Sequence, residues 1–422
     1  MSSKEWHEVR IKDICTRIVS GGTPSRKKPE YYINGIYPWV KTQELKDCNL
    51  YETEEQITDD ALNNSSAKIC PINTVSMAMY GATVGKLGIL KKECATNQAC
   101  CNMSVDTEKA DFRYLYYYLL HHRNAIINLA NGAAQQNLNV GIISDYLIKC
   151  PSLVQQNAIA YTLSCLDDMI ELNNRTNKVL EEMAQAIFKQ WFIDFEFPNE
   201  NGEPYKSSGG EIVNSQLGIT PRGWTINKID DLCQRISSGG TPSTKITSYY
   251  EGNINWFTTK ELKDNYLFSS EKKISESALI NSSAKLYPAN TILMAIYAAP
   301  TVGRLGILTQ ESTFNQAAVG LVSKDPICCT EFLYLSLLYQ RSNLNNLANG
   351  AAQQNLNVGI VKKYPIMCPT IKEMMMFKNV MTPLFKQIKF NSLEILYLQQ
   401  IRDTLLPKLM SGEITVPIEE VV

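Results

Sequence analysis

Apolar residues recur at spacings of three and four over two long stretches, 163–191 and 381–409, which is typical of helices that pair along one face. An amphipathic helix packed only on its own domain gives a similar pattern, but both stretches keep the heptad over about four repeats, which favours mutual pairing. Asparagines in the seam would lower stability and fix the register of the pair. The predicted seam residues are Leu163, Leu166, Ile170, Asn173, Asn177, Leu180, Ala184, Ile187 and Trp191, then Met381, Leu384, Ile388, Asn391, Ile395, Leu398, Arg402, Leu405 and Leu409.

The rest of the chain alternates short β-rich runs with Gly, Asn and Pro breaks, as in NTVSMAMY at 73–80 and GKLGIL at 85–90. Two further segments, 112–130 and 331–348, have a helical pattern. We therefore predict an α+β protein in which two mixed α/β domains alternate with two long helices.

The chain is a two-copy repeat with an offset of about 218 residues. SGGTPS occurs at 20–25 and 238–243, and LANGAAQQNLNVGI at 129–142 returns unchanged at 347–360. Two similar copies favour a pseudo-two-fold arrangement, in which the long helices form an antiparallel coiled coil. The predicted segments are a first mixed domain at 1–151, a helix at 152–197, a linker at 198–218, a second mixed domain at 219–369 and a second helix at 370–415.

Composition narrows the function classes. The 41 basic and 42 acidic residues give a net charge of −1, which excludes a generally basic nucleic-acid coat but leaves room for local basic faces. Three histidines and no CxxC pair argue against a zinc site, so no metal site is predicted. The polar N-terminus and the lack of a long apolar run predict a cytoplasmic protein without membrane segments.

Catalytic motifs are missing from the sequence. It has no phosphate-binding loop of the GxxxxGK[ST] type and no Pro-Pro dipeptide, which amino-methylating DNA enzymes carry in their motif. The histidines that could activate a nucleophile occur only in the first copy. A Glu-x-Lys pattern at Glu271–Lys273 could indicate a nuclease, but its counterpart Glu54–Gln56 lacks the lysine. A non-catalytic protein is the favoured interpretation, and a nuclease stays as an alternative.

Polar segments that recur in both copies are the candidates for DNA contact. SGGTPS could be a plain turn, or a loop whose hydroxyl and main-chain N–H groups lie against phosphates. The amides of the LANGAAQQNLNVGI segment could read adenine edges, or could cap a helix and bond their own backbone. The candidates in the first copy are Ser20, Gly21, Gly22, Thr23, Ser25, Arg26, Lys27, Lys41, Thr42, Lys46, Gln135, Gln136, Asn137 and Asn139. Those in the second copy are Ser238, Gly239, Gly240, Thr241, Ser243, Lys245, Thr259, Lys260, Lys263, Gln353, Gln354, Asn355 and Asn357.

The layout and its motifs resemble the specificity subunit of type I restriction–modification enzymes. Besides SGGTPS and GAAQQNLN, the resemblance rests on FKQWFIDFEFP at 188–198, SQLGITPRGW at 215–224 and LLPKLMSGEI at 405–414. These motifs occur in the order found in the family, and the resemblance extends over nearly the whole chain.

The resemblance implies that 1–151 and 219–369 are target recognition domains, each reading one half of a split double-stranded DNA site. The helices would form a spacer and dock two methyltransferase subunits and, with them, restriction–translocation subunits. The chain itself would hold no cofactor, since S-adenosylmethionine, ATP and Mg²⁺ would belong to those partners. The enzyme partners would then methylate adenine N6 or cleave DNA.

Two further expectations concern the target. A seam of 29 residues spans about 42 Å at 1.5 Å per residue, close to one DNA turn, so the helices could set the gap between half-sites. The likeness of the two copies predicts related half-sites on opposite strands, hence a near-palindromic target. The half-sites should differ through the divergent stretches 33–43 against 251–260 and 100–114 against 318–332. A stand-alone DNA-binding regulator without enzyme partners is the main alternative.

Overall fold

A computed structural model describes residues 6–131, 137–297, 301–349 and 356–417. The chain divides into two compact units, which we call the first unit (Met1–Ile170 with Tyr397–Val422) and the second unit (Glu171–Leu396). The first long helix, Leu153–Phe192, and the second long helix, Ile371–Ser411, each contribute residues to both units. The fold is mixed α/β with two long helices, as the sequence predicts.

The first unit contains a five-stranded sheet, a four-stranded sheet and a two-stranded pair. In sheet order, the five strands are Cys15–Ser20, Cys100–Val105, Val75–Ala78, Leu87–Leu90 and Cys48–Leu50. The four strands are Glu55–Ile57, Tyr37–Val40, Cys94–Thr96 and Ile69–Cys70, and the pair is His7–Arg10 with Leu147–Cys150. The shorter helices are Asp59–Asn63, Phe112–His121, Arg123–Asn131 and Val140–Asp145.

The second unit has the same order of strands in its five-stranded sheet and closing pair, and a three-stranded sheet in place of the four-stranded one. Its five-stranded sheet is Cys233–Ser238, Ala318–Ser323, Ile292–Ala295, Leu305–Leu308 and Asn265–Leu267. Its three-stranded sheet is Lys272–Ile274, Ile254–Phe257 and Thr313–Phe314, and the closing pair is Thr225–Lys228 with Pro365–Cys368. The shorter helices are Glu276–Ile280, Thr330–Tyr339, Arg341–Asn349 and Val358–Lys363.

Local sequence explains the matching element boundaries. The buried carboxylate of Glu44 accepts a hydrogen bond from the backbone N–H of Lys41 (2.7 Å), and Glu261 does the same for Thr258 (2.7 Å). Hydroxyl residues at the N-caps of the short helices, Thr58 and Ser275, accept from the third residue of each helix. Because these caps recur, both copies turn at the same places.

The segment 198–218, predicted as a linker, is ordered by aromatic packing in the second unit. Phe197 stacks on Tyr205 (4.5 Å between ring centroids) and on Trp224 (5.1 Å). A hairpin of Ile212–Ser215 and Gly218–Pro221 follows. These buried rings belong to an apolar core that also contains Phe188, at the end of the first long helix.

The long helices pair in antiparallel order, as predicted. In the second unit, the Nδ2 group of Asn391 donates to Oδ1 of Asn177 (2.9 Å) and that of Asn173 to Glu394 (2.8 Å), so numbers rise on one helix as they fall on the other. Every predicted seam residue is buried or half-buried. The asparagines satisfy each other's polar groups inside this contact, which ties the register to one alignment.

In the first unit, the same helix pair contains a charged contact. Nη1 of Arg402 lies 2.7 Å from Oδ1 of Asp167, and the hydroxyl of Tyr117 donates to Oδ2 of Asp167 (2.7 Å). Although burial alone would lower the pKa of Arg402, the hydrogen bond and the charge of Asp167 raise it. The corresponding residues of the other copy are all apolar, namely Leu335, Phe385 and Ala184.

Charges of opposite sign mark the contact between each mixed domain and its long helix. In the first unit, the hydrogen bond to Asp111 raises the pKa of Arg113 against the opposing effect of burial, and the nearby carboxylate of Asp168 adds a smaller increase. The matching position in the second unit is Glu331, which shares a cavity of about 370 Å³ with Lys386 and Lys389. In the first copy the domain carries the positive charge and the helix the negative one, and in the second copy these signs are exchanged.

Candidate nucleic-acid interface

The glycines of both SGGTPS loops are packed against neighbouring backbone. The N–H of Gly21 donates to the carbonyl of Cys100 (3.1 Å), and that of Gly22 to Thr96 (2.8 Å). A Cβ on Gly22 would lie 2.3 Å from the carbonyl oxygen of Ser66, so a larger residue would not fit. These two N–H groups are thus used inside the protein, so a ligand would have to meet side chains of the loop instead, such as the exposed Ser25 and Lys27.

The second copy keeps the same arrangement. The N–H of Gly239 donates to Ala318 (3.2 Å), and that of Gly240 to Phe314 (2.9 Å). The Oγ1 group of Thr241 donates to Gln316, as that of Thr23 does to Gln98. The loops are therefore conformationally matched.

Two aromatic side chains donate hydrogen bonds to the backbone of each loop. Trp39 donates through Nε1 to the carbonyl of Gly22 (3.0 Å), and the hydroxyl of Tyr32 donates to the carbonyl of Pro24 (2.6 Å). The two rings meet edge to face at 5.9 Å. We call Tyr32 with Trp39, and Tyr250 with Trp256 in the second copy, the aromatic supports. Tyr31, by contrast, is a core residue with 2% exposure.

Charged side chains surround the first aromatic support. The guanidinium of Arg26 lies 4.3 Å from the centre of the Tyr32 ring, and its Nη1 lies 2.5 Å from Oε2 of Glu55. Lys41 pairs with Glu54 (2.7 Å) and Glu55 (3.1 Å). Hydrogen bonding to Glu55 raises the pKa of Arg26, and hydrogen bonding to Arg26 lowers the pKa of Glu55, so both stay charged at neutral pH.

The sequence ELKD, which occurs at 44–47 and again at 261–264, is anchored to the helix that precedes the amide-rich segment. In the first unit, Asp47 accepts hydrogen bonds from Arg123 and from Nζ of Lys86 (2.6 Å). In the second, Asp264 accepts from Nη1 of Arg341 (3.0 Å). Sequence reasoning did not single out these arginines. Their recurrence in both copies, matching the recurrence of the aspartates, was the available signal.

The structure places the predicted DNA-contacting residues at different depths. Exposed are Ser20, Ser25, Arg26, Lys27, Lys46, Asn137, Ser243, Lys245, Lys260, Lys263 and Asn357. Half-buried are Gly21, Thr23, Lys41, Thr42, Asn139, Ser238 and Thr241, and buried are Gly22, Gly239, Gly240 and Thr259. Gln135, Gln136, Gln353, Gln354 and Asn355 lie outside the described residues. The exposed residues are the ones that can meet a ligand without rearrangement.

The amide-rich segments also have a structural role at their ends. Oδ1 of Asn139 accepts from the N–H of Ile142 (3.0 Å), and Oδ1 of Asn357 accepts from Ile360 (2.9 Å). Both asparagines are N-caps, so these amides bond the protein's own backbone. The helix C-cap that the sequence suggests at Asn131–Gly132 falls at the edge of the described residues, since Gly132 lies outside them.

One divergent stretch lies in the core. Cys100–Val105 and Ala318–Ser323 are strands inside the five-stranded sheets, and their residues are nearly all buried. Differences at these positions therefore change packing. The expectation that the half-sites differ through 100–114 and 318–332 requires exposed residues. The strand residues within these two stretches do not meet that requirement.

Several general properties limit the chemistry. None of the twelve cysteines, all of which lie within the described residues, forms a disulfide bond. Within the part of the chain that the structure describes, no three His, Cys, Asp or Glu side chains form a metal-binding group. In the same residues, no helix is long and apolar enough to cross a membrane.

Two copies of one mixed domain, each followed by a long helix and each carrying the same supported loop, define the class of protein. A crystal structure of a type I restriction–modification S subunit from M. genitalium has this fold, with a TM-score of 0.63 over 97% of both chains and 16% sequence identity. The chain belongs to the family described as type I restriction modification DNA specificity domain, whose model matches residues 3–182 and 221–398.

Curated relatives carry the same description. The MjaIX specificity subunit of Methanocaldococcus jannaschii is 29% identical over 98% of this chain and 94% of its own length. The HindI specificity subunit of Haemophilus influenzae is 27% identical over 64% of this chain and 70% of its own. The chain is thus a DNA-recognition component of a type I system, and specificity subunits are the non-catalytic members of such systems.

Proposed function

We propose that each recognition domain binds one half of a two-part double-stranded DNA target, and that the long helices dock methyltransferase and restriction subunits. The bound enzymes then methylate adenine N6 in that target or cleave the DNA, and they supply S-adenosylmethionine, ATP and Mg²⁺. The complex works in the cytoplasm. The observation that carries the proposal is the duplicated loop and aromatic support, which gives each unit its own polar surface.

Exposed apolar residues on the paired helices support the docking role. In the second unit, Leu172 is 64% exposed and Phe390 is 60% exposed, although both lie on helices whose other faces are packed. In the first unit, Tyr161 is 65% exposed and Tyr397 is 56% exposed. Large apolar side chains concentrated on one element are typical of protein-binding surfaces. A stand-alone DNA-binding regulator would have no use for them.

Methylome mapping tests the proposal. The chain is co-expressed with the methyltransferase subunit encoded beside it in a methylation-free host, and modified adenines are located by single-molecule sequencing. A split motif with a fixed gap, lost when this chain is omitted, is the expected result. No methylation together with no co-purification would contradict the docking role and favour the stand-alone regulator.

A further inference from the structure

The two aromatic supports are built alike but hold different charges. In the second copy, Trp256 donates to the carbonyl of Gly240 (2.8 Å) and Tyr250 to that of Pro242 (2.8 Å), as in the first copy. The rings meet at 5.7 Å, close to the first copy's 5.9 Å. The two copies therefore share the geometry of the aromatic support and differ in the charged side chains around it.

An edge strand runs beside each support. Glu55–Ile57 pairs with the strand of Trp39, and Lys272–Ile274 pairs with the strand of Trp256. Glu55 lies opposite Trp39 in the register, and Lys272 lies opposite Trp256, so these two residues occupy the same position. The next residue is Gln56 in the first copy and Lys273 in the second.

The first copy neutralises its cations at this edge. Glu55 binds both Arg26 and Lys41, and Glu54 binds Lys41 a second time. A phosphate approaching here would have to displace a carboxylate from either cation. The carboxylates themselves would repel it.

At the matching edge of the second copy, the two lysines have no such carboxylate partner among the described residues. Lys272 and Lys273 are exposed, and neither forms an ion pair with any residue in the described ranges. Nζ of Lys272 lies 6.0 Å from the centre of the Tyr250 ring, so its ammonium group lies over the aromatic support. Position 244 holds Thr where the first copy has Arg26, and Lys245 next to it is also exposed.

We propose that the strand Lys272–Ile274 contacts DNA phosphates through Lys272 and Lys273, and that the matching strand of the first domain makes no such contact. The second domain then contributes the larger share of the salt-dependent affinity, although the two domains share one scaffold. This inference rests on the proposed DNA-binding function. It adds an electrostatic asymmetry between two otherwise similar half-site contacts.

An exchange of residues between the copies tests the asymmetry. The double variant Lys272→Glu with Lys273→Gln gives the second edge the residues of the first, and Glu55→Lys with Gln56→Lys does the reverse. The full chain, in complex with its methyltransferase partner, is titrated with the mapped target between about 50 and 200 mM KCl, a range over which phosphate contacts change affinity strongly. Each phosphate contact contributes about −0.9 to the slope of log K against log salt, so the first variant should reduce the magnitude of the slope by about 2. The reverse variant should raise it.

A charge-matched control separates local contact from general electrostatics. Lys206→Glu with Lys228→Gln changes the net charge equally at two other exposed lysines of the second unit. This control should leave the slope unchanged. A slope reduced in magnitude as much by the control as by the exchange, or unchanged by the exchange, would overturn the inference. If the unmodified complex does not prefer the mapped target over scrambled DNA, the proposed function itself fails.

Discussion

The contact of Arg402 with Asp167 in the first unit allows a quantitative prediction. Arg402→Ala would leave the carboxylate of Asp167 with Tyr117 as its remaining described hydrogen-bond donor. Removing one partner of a fully buried ion pair costs about 3–5 kcal/mol, and surface pairs contribute about 0–1 kcal/mol. Because the side chains of Arg402 and Asp167 are 21% and 22% exposed, we expect a loss of about 2–3 kcal/mol in stability.

Hydrogen exchange measured by mass spectrometry gives the local stability of the helix that carries Tyr117. Opening of Phe112–His121 should become easier by about 2–3 kcal/mol, which corresponds to exchange roughly 30- to 140-fold faster. The matching helix of the second unit, Thr330–Tyr339, is an internal reference and should keep its rate.

The other copy supplies the control variant. The triple change Tyr117→Leu, Asp167→Phe and Arg402→Ala installs the apolar residues found at the equivalent positions of the second unit. Replacing a buried ionic group by apolar residues is often neutral or stabilising, so this variant should exchange more slowly than Arg402→Ala alone. Unchanged exchange in Arg402→Ala would refute the assignment of a stabilising ion pair here.

Three more predictions follow from other contacts. Ser336→Ala should stabilise the second unit by about 1 kcal/mol in denaturant unfolding, because Oγ of Ser336 is buried with no hydrogen-bond partner among the described residues; a loss would contradict this. Asn391→Ile should destabilise that unit by about 1–2 kcal/mol because Oδ1 of Asn177 loses its donor, and adding Asn177→Ile should recover stability; additive losses would contradict this. Inserting four residues into the first long helix should lengthen the unread gap in the methylated motif, and an unchanged gap would exclude the helix as its ruler.

Periodic and repeated features were predictable from sequence because they depend on local patterns. The seam residues, the antiparallel pairing and strands such as Val75–Ala78 all follow from spacing, alternation and duplication. The segment 112–130 was predicted as one helix, and the structure divides it at His122. A short interruption of this kind leaves the apolar spacing almost unchanged.

Long-range contacts were not predictable from the same patterns. The N–H groups of Gly21 and Gly22 are used by carbonyls more than seventy residues away, which no local motif reveals. Thr259 is buried although its segment is polar. The pairing of Arg341 with Asp264 brings together residues separated by 77 positions, and only their joint recurrence in the repeat hints at it.

The reversed polarity at the contact between domain and helix has a consequence for protein engineering. Recognition domains are natural modules for building new specificities, and a simple splice would cut each domain just before its long helix. Such a splice would place Arg113 in the cavity that Glu331 now lines together with Lys386 and Lys389, so like charges would meet. A chimera should therefore carry the donor's own long helix along with the domain, as far as Asp168 or Lys389. Arg113 or Glu331 then keeps the oppositely charged residues of its own helix.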